Sequence, residues 1–486
     1  MRTRTPAVVT LLLAVLVVGA VVAGAYLGRA DTPDDGAEIP ATQPPEPGEV
    51  DPPEGLVLPA ARTPGPVLRT PAGPALDPAA LRSTLAPLLG DANLGRHVGV
   101  AVRDLSRDRA VLTVGGTAPF VPASTLKLFT AAAALAELGP AHRFETTVQL
   151  DRSGPGVPTV VLVGGGDPLL ARQQPDPGTA FAPDVSGVVS VDLLAAQTAR
   201  FLRDAGVRRV RVGWDASMFS GPSVSPQWQP SYVPDEVVSP ISALWVDEGR
   251  LGLGFSDRSP DPAEAAAAEL VDGLEGRGIG VVGAPAVSDG AEGEVAASGR
   301  SAPLDEIVTH VLEVSDNEGA EVLLRHVALA NGRPGSFAAG GAAVEEVLTG
   351  LGVPWDAVVV HDGSGLSRND RVTLRAVTAV LALGADPDLP ELRTLLSGLP
   401  VARFTGSLVF RFVDDGTAAG RGLVRAKTGT LTGVHGLAGT VVTRDDSRLA
   451  FALLTDQVRP IDTLDARAQL DRMAAALAGC GCRRPR

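Results

Sequence analysis

Ser124-Thr125-Leu126-Lys127 opens a nearly uninterrupted apolar run, Leu128 to Leu138, which Gly139-Pro140 closes. That length and that stop spell a helix from Ser124 to about Leu138. Residues three apart on a helix share a face, so the Lys127 amine can reach the Ser124 hydroxyl. The chain writes its surface cations as arginine; of 42 basic residues only Lys127 and Lys427 are lysine. A guanidinium cannot release its proton near neutral pH. An ε-ammonium can be driven to do so by burial and by a neighbouring cation. The two lysines are therefore where chemistry is expected.

Two further motifs follow in order. Ser315-Asp316-Asn317 lies between two helical segments, Leu304–Val314 and Glu318–Leu329, and Lys427-Thr428-Gly429-Thr430 ends a strand beginning at Leu423. A serine hydroxyl is a poor nucleophile until a base takes its proton. Lys127 can serve if partial burial and a second ammonium at Lys427 lower its pKa. Ser124 at the helix start gains the positive end of the helix dipole and a free N–H for a developing oxyanion. Lys427 and the hydroxyls of Thr428 and Thr430 can receive a substrate carboxylate, with Gly429 between them and a second oxyanion N–H at Thr430. Asn317 can hold an acyl-side amide, and Ser315 can pass a proton to a leaving amine. Taken singly these motifs have plainer readings: a helix start, a helix N-cap cluster, a strand end. The three in sequence are far more specific.

This order of motifs is a signature of penicillin-binding proteins and β-lactamases. From about residue 79 to 478 the chain resembles the class C, low-molecular-mass penicillin-binding proteins, the serine D-Ala-D-Ala carboxypeptidase/endopeptidase family. The likeness rests on the three motifs and on the long insert between Lys127 and Ser315. It rests also on Gly164-Gly165-Gly166-Asp167-Pro168 and Asp362-Gly363-Ser364-Gly365-Leu366-Ser367-Arg368. The resemblance implies an α/β fold, an antiparallel sheet flanked by helices, with a large inserted domain. It implies an acyl-enzyme on Ser124, with Lys127 as base and Ser315, Asn317 and Lys427 as partners. Thr428, Gly429 and Thr430 would bind substrate. The substrates would be D-Ala-D-Ala ends or cross-links of peptidoglycan stem peptides, with β-lactams as inhibitors. Asp362, Ser364 and Gly365 either border this site or form only a tight turn after a strand at Val358–Val360. Gly164–Pro168 reads as a structural turn. The six histidines, His361 and His435 included, read as structural.

The rest of the chain frames this core. Arg2 and Arg4 precede an uncharged run from Ala7 to Leu27, long enough for about 31 Å of helix, and Asp31, Asp34 and Asp35 follow it. Residues 1–30 are thus a signal peptide or a single membrane anchor with the body outside the cytoplasm, membrane-bound or secreted to the wall. Residues 31–78 form a Pro-rich linker. Residues 79–143 and 299–486 make the two parts of the catalytic domain, and 144–298 the inserted domain, with helix–strand units at Leu193–Val212 and Ala263–Val282. A final helix is expected at Ile461–Leu477. Cys480 and Cys482 form either a local disulfide or two idle thiols.

A net charge of −14 over 486 residues excludes nucleic acid as a partner, since Arg208-Arg209-Val210-Arg211 is too small a basic footprint. No Walker A, Rossmann or H-E-x-x-H pattern occurs in a credible context, so no cofactor and no metal are expected. The nearest competing function is a β-lactamase, but no Glu-x-x-Leu-Asn lies between Asn317 and Lys427 to supply a class A deacylating glutamate. A non-catalytic wall-binding protein of the same fold is the other alternative; an intact triple holding the only two lysines argues against it.

Overall fold

The motif helix is apolar on every side. From Lys127 to Leu135 each residue of Lys127–Leu138 is buried, as expected of a helix that packs on all faces. Gly139, at φ +80°, ends it and donates its N–H to the Leu135 carbonyl. In this computed structural model, residues 75–483 are described, apart from 116–117, 155, 176–184, 253–256 and 289–292. The apolar run at Ala7–Leu27 and residues 31–74 of the expected Pro-rich linker lie outside the described residues, whereas Leu76, near the expected end of that linker, is buried and bridges to Arg483. Among the described residues no helix is long and apolar enough to cross a membrane.

The central sheet has five antiparallel strands, β1 (Val98–Asp104), β2 (Arg109–Val114), β9 (Val424–Leu431), β10 (Val434–Val442) and β11 (Arg448–Thr455). Their order across the sheet is β2-β1-β11-β10-β9. Alternation along the strands gives the sheet two apolar faces. Ala438, Ala450, Ala452 and Leu454 join the core around helices Lys127–Leu138, Leu304–Glu313, Asn317–Ala330, Phe337–Gly350 and Leu374–Leu383. Leu437, Val441, Phe451 and Leu453 join the core under helices Pro78–Leu89 and Thr463–Ala478. The sheet is thus sandwiched between helices, and the first and last helices described cover the same face. A Cys480–Cys482 disulfide closes the C-terminal end, and Cys482 accepts the Asp77 N–H.

The second sheet is built wholly between the first and second motifs: β3 (Glu145–Asp151), β4 (Thr159–Val163), β5 (Arg209–Asp215), β6 (Gly280–Val281), β7 (Ala286–Val287) and β8 (Glu294–Arg300). Its order is β6-β5-β4-β3-β8, with β7 also on β5. β3 is antiparallel to both neighbours, whereas β4, β5 and β6 run parallel. Helices Val191–Asp204 and Pro262–Glu275 bury their apolar stripes on it and give it a core of its own. Both sheets nevertheless belong to one compact unit.

Several boundaries differ from the sequence reading. Val358–Val360 is not a strand; Val359 makes only an isolated bridge to Arg371. Ser124 lies in a 3-10 turn, Ala123–Leu126, and the α-helix begins at Lys127. The Gly164–Pro168 stretch is a packed turn. A methyl at Gly165 would lie 1.8 Å from the Glu145 carbonyl oxygen. The Gly166 carbonyl meets His326 Nε2 at 2.8 Å, and the Asp167 and Pro168 carbonyls accept the Trp245 indole N–H.

Candidate active site

Ala123 takes a φ of +47°, costly for a residue with a Cβ, and so turns Ser124 away from the strand-like entry at Phe120. The turn is pressed from two sides. A methyl at Gly365 (φ +80°) would stand 1.9 Å from the Ala123 carbonyl oxygen, and one at Gly429 would stand 2.8 Å from that of Pro122. Glycine at both places lets the 362–368 loop and β9 approach the motif backbone. On the entry side, the Asp456 carboxylate accepts the Val121 N–H and meets His97 Nδ1.

Lys127 is the hub. Its Nζ lies 3.1 Å from Ser124 Oγ, 2.8 Å from Asn317 Oδ1 and 2.9 Å from the Ser364 carbonyl oxygen. Its side chain has no exposure. Burial drives its pKa down to about 8, against the opposing pull of Asp316, Glu321, Asp362 and Glu318. Of the two expected causes, burial acts on Lys127, while the second ammonium at Lys427 is not among the causes of its shift. Lys427, also without exposure, is the one held well below its ordinary value, first by burial and then by Lys127.

The second motif approaches from the turn between two helices. Ser315 has φ +65°, and Asp316 caps the following helix by accepting the Gly319 N–H. Asn317 is then fixed on both sides: its Oδ1 accepts from Lys127 and its Nδ2 donates to the Val237 carbonyl. Val237 belongs to the long insert, so a residue from that insert sets the Asn317 amide. The second Nδ2 hydrogen is taken by neither contact.

The third motif lies on an edge strand. Segment 400–402 covers the outer side of β9 only at its start, through Ala402 N–H to Val424 O and Ala426 N–H to Pro400 O. Backbone groups alternate along a strand, so Thr428 and Thr430 also face outward, onto an edge that no other described strand covers. Lys427 Nζ lies 3.1 Å from the Thr428 carbonyl oxygen, and Thr428 Oγ1 lies 3.1 Å from Ser407 Oγ. His435, directly opposite Thr430 across the β9–β10 ladder, is buried.

The 362–368 loop does border the site, by its backbone. The Ser364 carbonyl holds Lys127, while the Ser364 hydroxyl accepts the Leu366 N–H. Behind it, Glu321 accepts the N–H groups of Gly363 and Ser364, and Thr130 donates to the Gly363 carbonyl. Asp362 accepts from Gly365 N–H, Ser367 N–H and the Trp228 indole. Burial pushes the Glu321 carboxyl up to about 8, with Asp362 adding to it. Burial likewise raises Asp370, with the nearby Asp362 carboxylate adding to it. Asp362 is thus a buttress, not a group facing substrate. Sequence reasoning missed Glu321, Ser407, Val237 and Trp228. None sits in a motif, and only Glu321, four residues beyond Asn317 and so on the same face of the second-motif helix, carried a signal that could have been noticed.

A buried amine against a serine hydroxyl, with an open strand edge beside it, can generate an alkoxide and hold a peptide carbonyl in line with it. Comparison with known proteins agrees. The model of the D-Ala-D-Ala carboxypeptidase 3 (S13) family matches residues 81–257 and 251–477. This chain belongs to the S13 peptidase family. It is 35% identical over 422 residues to a carboxypeptidase of Mycobacterium tuberculosis, covering 86% of this chain and 87% of the relative. It is 34% identical over 466 residues to the carboxypeptidase DacB of Mycolicibacterium smegmatis, covering 95% of each. Among solved structures, penicillin binding protein 4 of Haemophilus influenzae shares the fold, with a TM-score of 0.65 at 21% identity, covering 83% of this chain and 98% of that one. The S13 protein described here is a serine-type D-Ala-D-Ala carboxypeptidase, a cell-wall hydrolase that works outside the cytoplasm.

Proposed function

We propose that Ser124 is the nucleophile of this S13 peptidase and Lys127 its base, acting on peptidoglycan stem peptides. Neutral Lys127 takes the Ser124 proton as Oγ bonds to the carbonyl carbon of the penultimate D-Ala. The N–H groups of Ser124 and Thr430 hold the oxyanion. The C–N bond then breaks, the leaving amine receives its proton by way of Ser315, and water later hydrolyses the Ser124 ester. Lys427, Thr428 and Thr430 receive the terminal carboxylate across Gly429, and Asn317 orients both Lys127 and the acyl-side amide. β-Lactams mimic the D-Ala-D-Ala dipeptide and acylate the same serine.

The observation that carries this reading is the buried Lys127 amine, 3.1 Å from Ser124 Oγ and lowered to about 8. A residue tuned in this way is suited to base work near neutral pH. The segment 144–298 is read as an inserted domain that completes the site through Val237 and Trp228. Residues 1–30 are read as the anchor or signal that places the body at the outer face of the membrane or in the wall, beyond the linker 31–78.

The test is release of D-Ala from a synthetic stem pentapeptide, run beside cleavage of a D-Ala cross-linked dimer, with wild type and Ser124→Ala. Release that depends on Ser124 supports the assignment. Undiminished release by Ser124→Ala would overturn it.

A further inference from the structure

Close to the Ser315–Asn317 turn, three side chains from distant parts of the chain converge. They are Glu248 from the insert, His310 from the last turn of helix Leu304–Glu313, and Asp316 from the second motif, and one donor atom of each lies within 4.8 Å of the others. Glu248 and Asp316 are 7% and 8% exposed. The charges around them do not balance. Arg250 pairs with Glu248 and Arg258 with Glu318, which leaves Asp316 as the carboxylate without a guanidinium of its own. Asp316 Oδ1 accepts the Gly319 N–H, but Oδ2 is buried without a hydrogen-bond partner among the described residues. A buried anionic oxygen left open in this way calls for a proton donor or a cation. The backbone also places Glu248 at some cost: Asp247, Glu248 and Gly249 are consecutive left-handed residues at φ +50°, +56° and +76°.

We propose that Glu248, His310 and Asp316 form a binding site for a divalent first-row metal ion. One imidazole and two carboxylates are the donor set that Zn2+ accepts, with water completing a four-coordinate shell. The sequence reading expected no metal, and the reason is visible: the donors are scattered over positions 248, 310 and 316, and no short motif unites them. The site ties the insert to the second motif. Asp316 directly precedes Asn317, which holds Lys127, so a bound cation would brace the turn that presents Asn317. Its role is structural, separate from the serine chemistry proposed above, and its test does not depend on that chemistry.

The full chain is stripped with chelator, dialysed and titrated with ZnCl2 by calorimetry, and its thermal unfolding is followed with and without zinc. Binding of one Zn2+ per chain with a raised melting temperature is expected. His310→Ala and Glu248→Gln, each checked for native circular dichroism, should weaken binding by at least about tenfold. Co2+ in place of zinc should give visible absorption bands that vanish in His310→Ala; His310→Gln serves if the alanine variant does not fold. No saturable zinc binding would overturn the proposal in favour of a proton shared among these carboxylates. Binding unchanged by both substitutions would overturn it by placing the zinc elsewhere.

Discussion

Replacing Lys127 by arginine keeps the positive charge and removes the chemistry. With a pKa of about 8, roughly one Lys127 amine in ten is neutral at pH 7 and about half are at pH 8. An arginine with a pKa above about 12 would be neutral in fewer than roughly one molecule in 10^5 at pH 7. If neutral base is what acylation requires, the rate falls by about 10^4, or about 5.5 kcal/mol of barrier. The pH profile sharpens the test. Because burial lowers this amine, the active form grows as pH rises: wild-type acylation should climb about tenfold per unit below pH 8 and level off above it. The arginine variant should show no such plateau. The assay is the second-order rate of acylation by a fluorescent penicillin from pH 6 to 10, with circular dichroism to confirm the fold. Acylation of the variant within tenfold of wild type, or a flat wild-type profile, would refute the base assignment.

Three other changes reach different parts of the account. Gly365→Ala puts a methyl 1.9 Å from the Ala123 carbonyl oxygen at a φ of +80°; a loss of about 2–4 kcal/mol of stability and a sharp loss of penicillin labelling are expected, read by thermal melts and gel fluorescence. Ser407→Ala removes the hydroxyl beside Thr428 Oγ1 and should raise KM for a D-Ala-D-Ala peptide about 3–10-fold, in line with one hydrogen bond, with little change in kcat. Asp167, pushed up to about 7 by burial, holds its proton more tightly folded than unfolded, so its ionisation removes stability as pH rises between its ordinary value of 3.8 and about 7. The swing is on the order of 4 kcal/mol, and Asp167→Asn should flatten the fall of melting temperature over that range.

The site was legible in the sequence where chemistry dictates residue type. Only an amine can be both base and cation, so the two lysines in an arginine-rich chain marked Ser124 and the β9 strand directly. The central sheet was legible through the strand expected from Leu423 into the third motif, which is found as β9. Elements that owe their form to tertiary packing were not. Helix Phe337–Gly350 carries Gly340-Gly341 near its start, a poor helix signal by propensity. Those glycines are there because a methyl at Gly340 or Gly341 would strike Leu324 or the Val360 carbonyl. The 362–368 loop was visible as a pattern but not in its role, since it acts through a backbone carbonyl and side chains cannot announce that. Of the two causes expected for the Lys127 shift, burial acts and is complete instead of partial, whereas the repulsion between the two lysines falls on Lys427.

The central claim is that Ser124, activated by Lys127, carries the acyl group. The most direct measurement is the intact mass of the purified protein after brief exposure to penicillin, followed by peptide mapping and repeated over time beside Ser124→Ala. A single stable adduct on the Ser124 peptide, absent from the alanine variant, is the expected result. An adduct on another residue, or one that forms equally without Ser124, would contradict the claim.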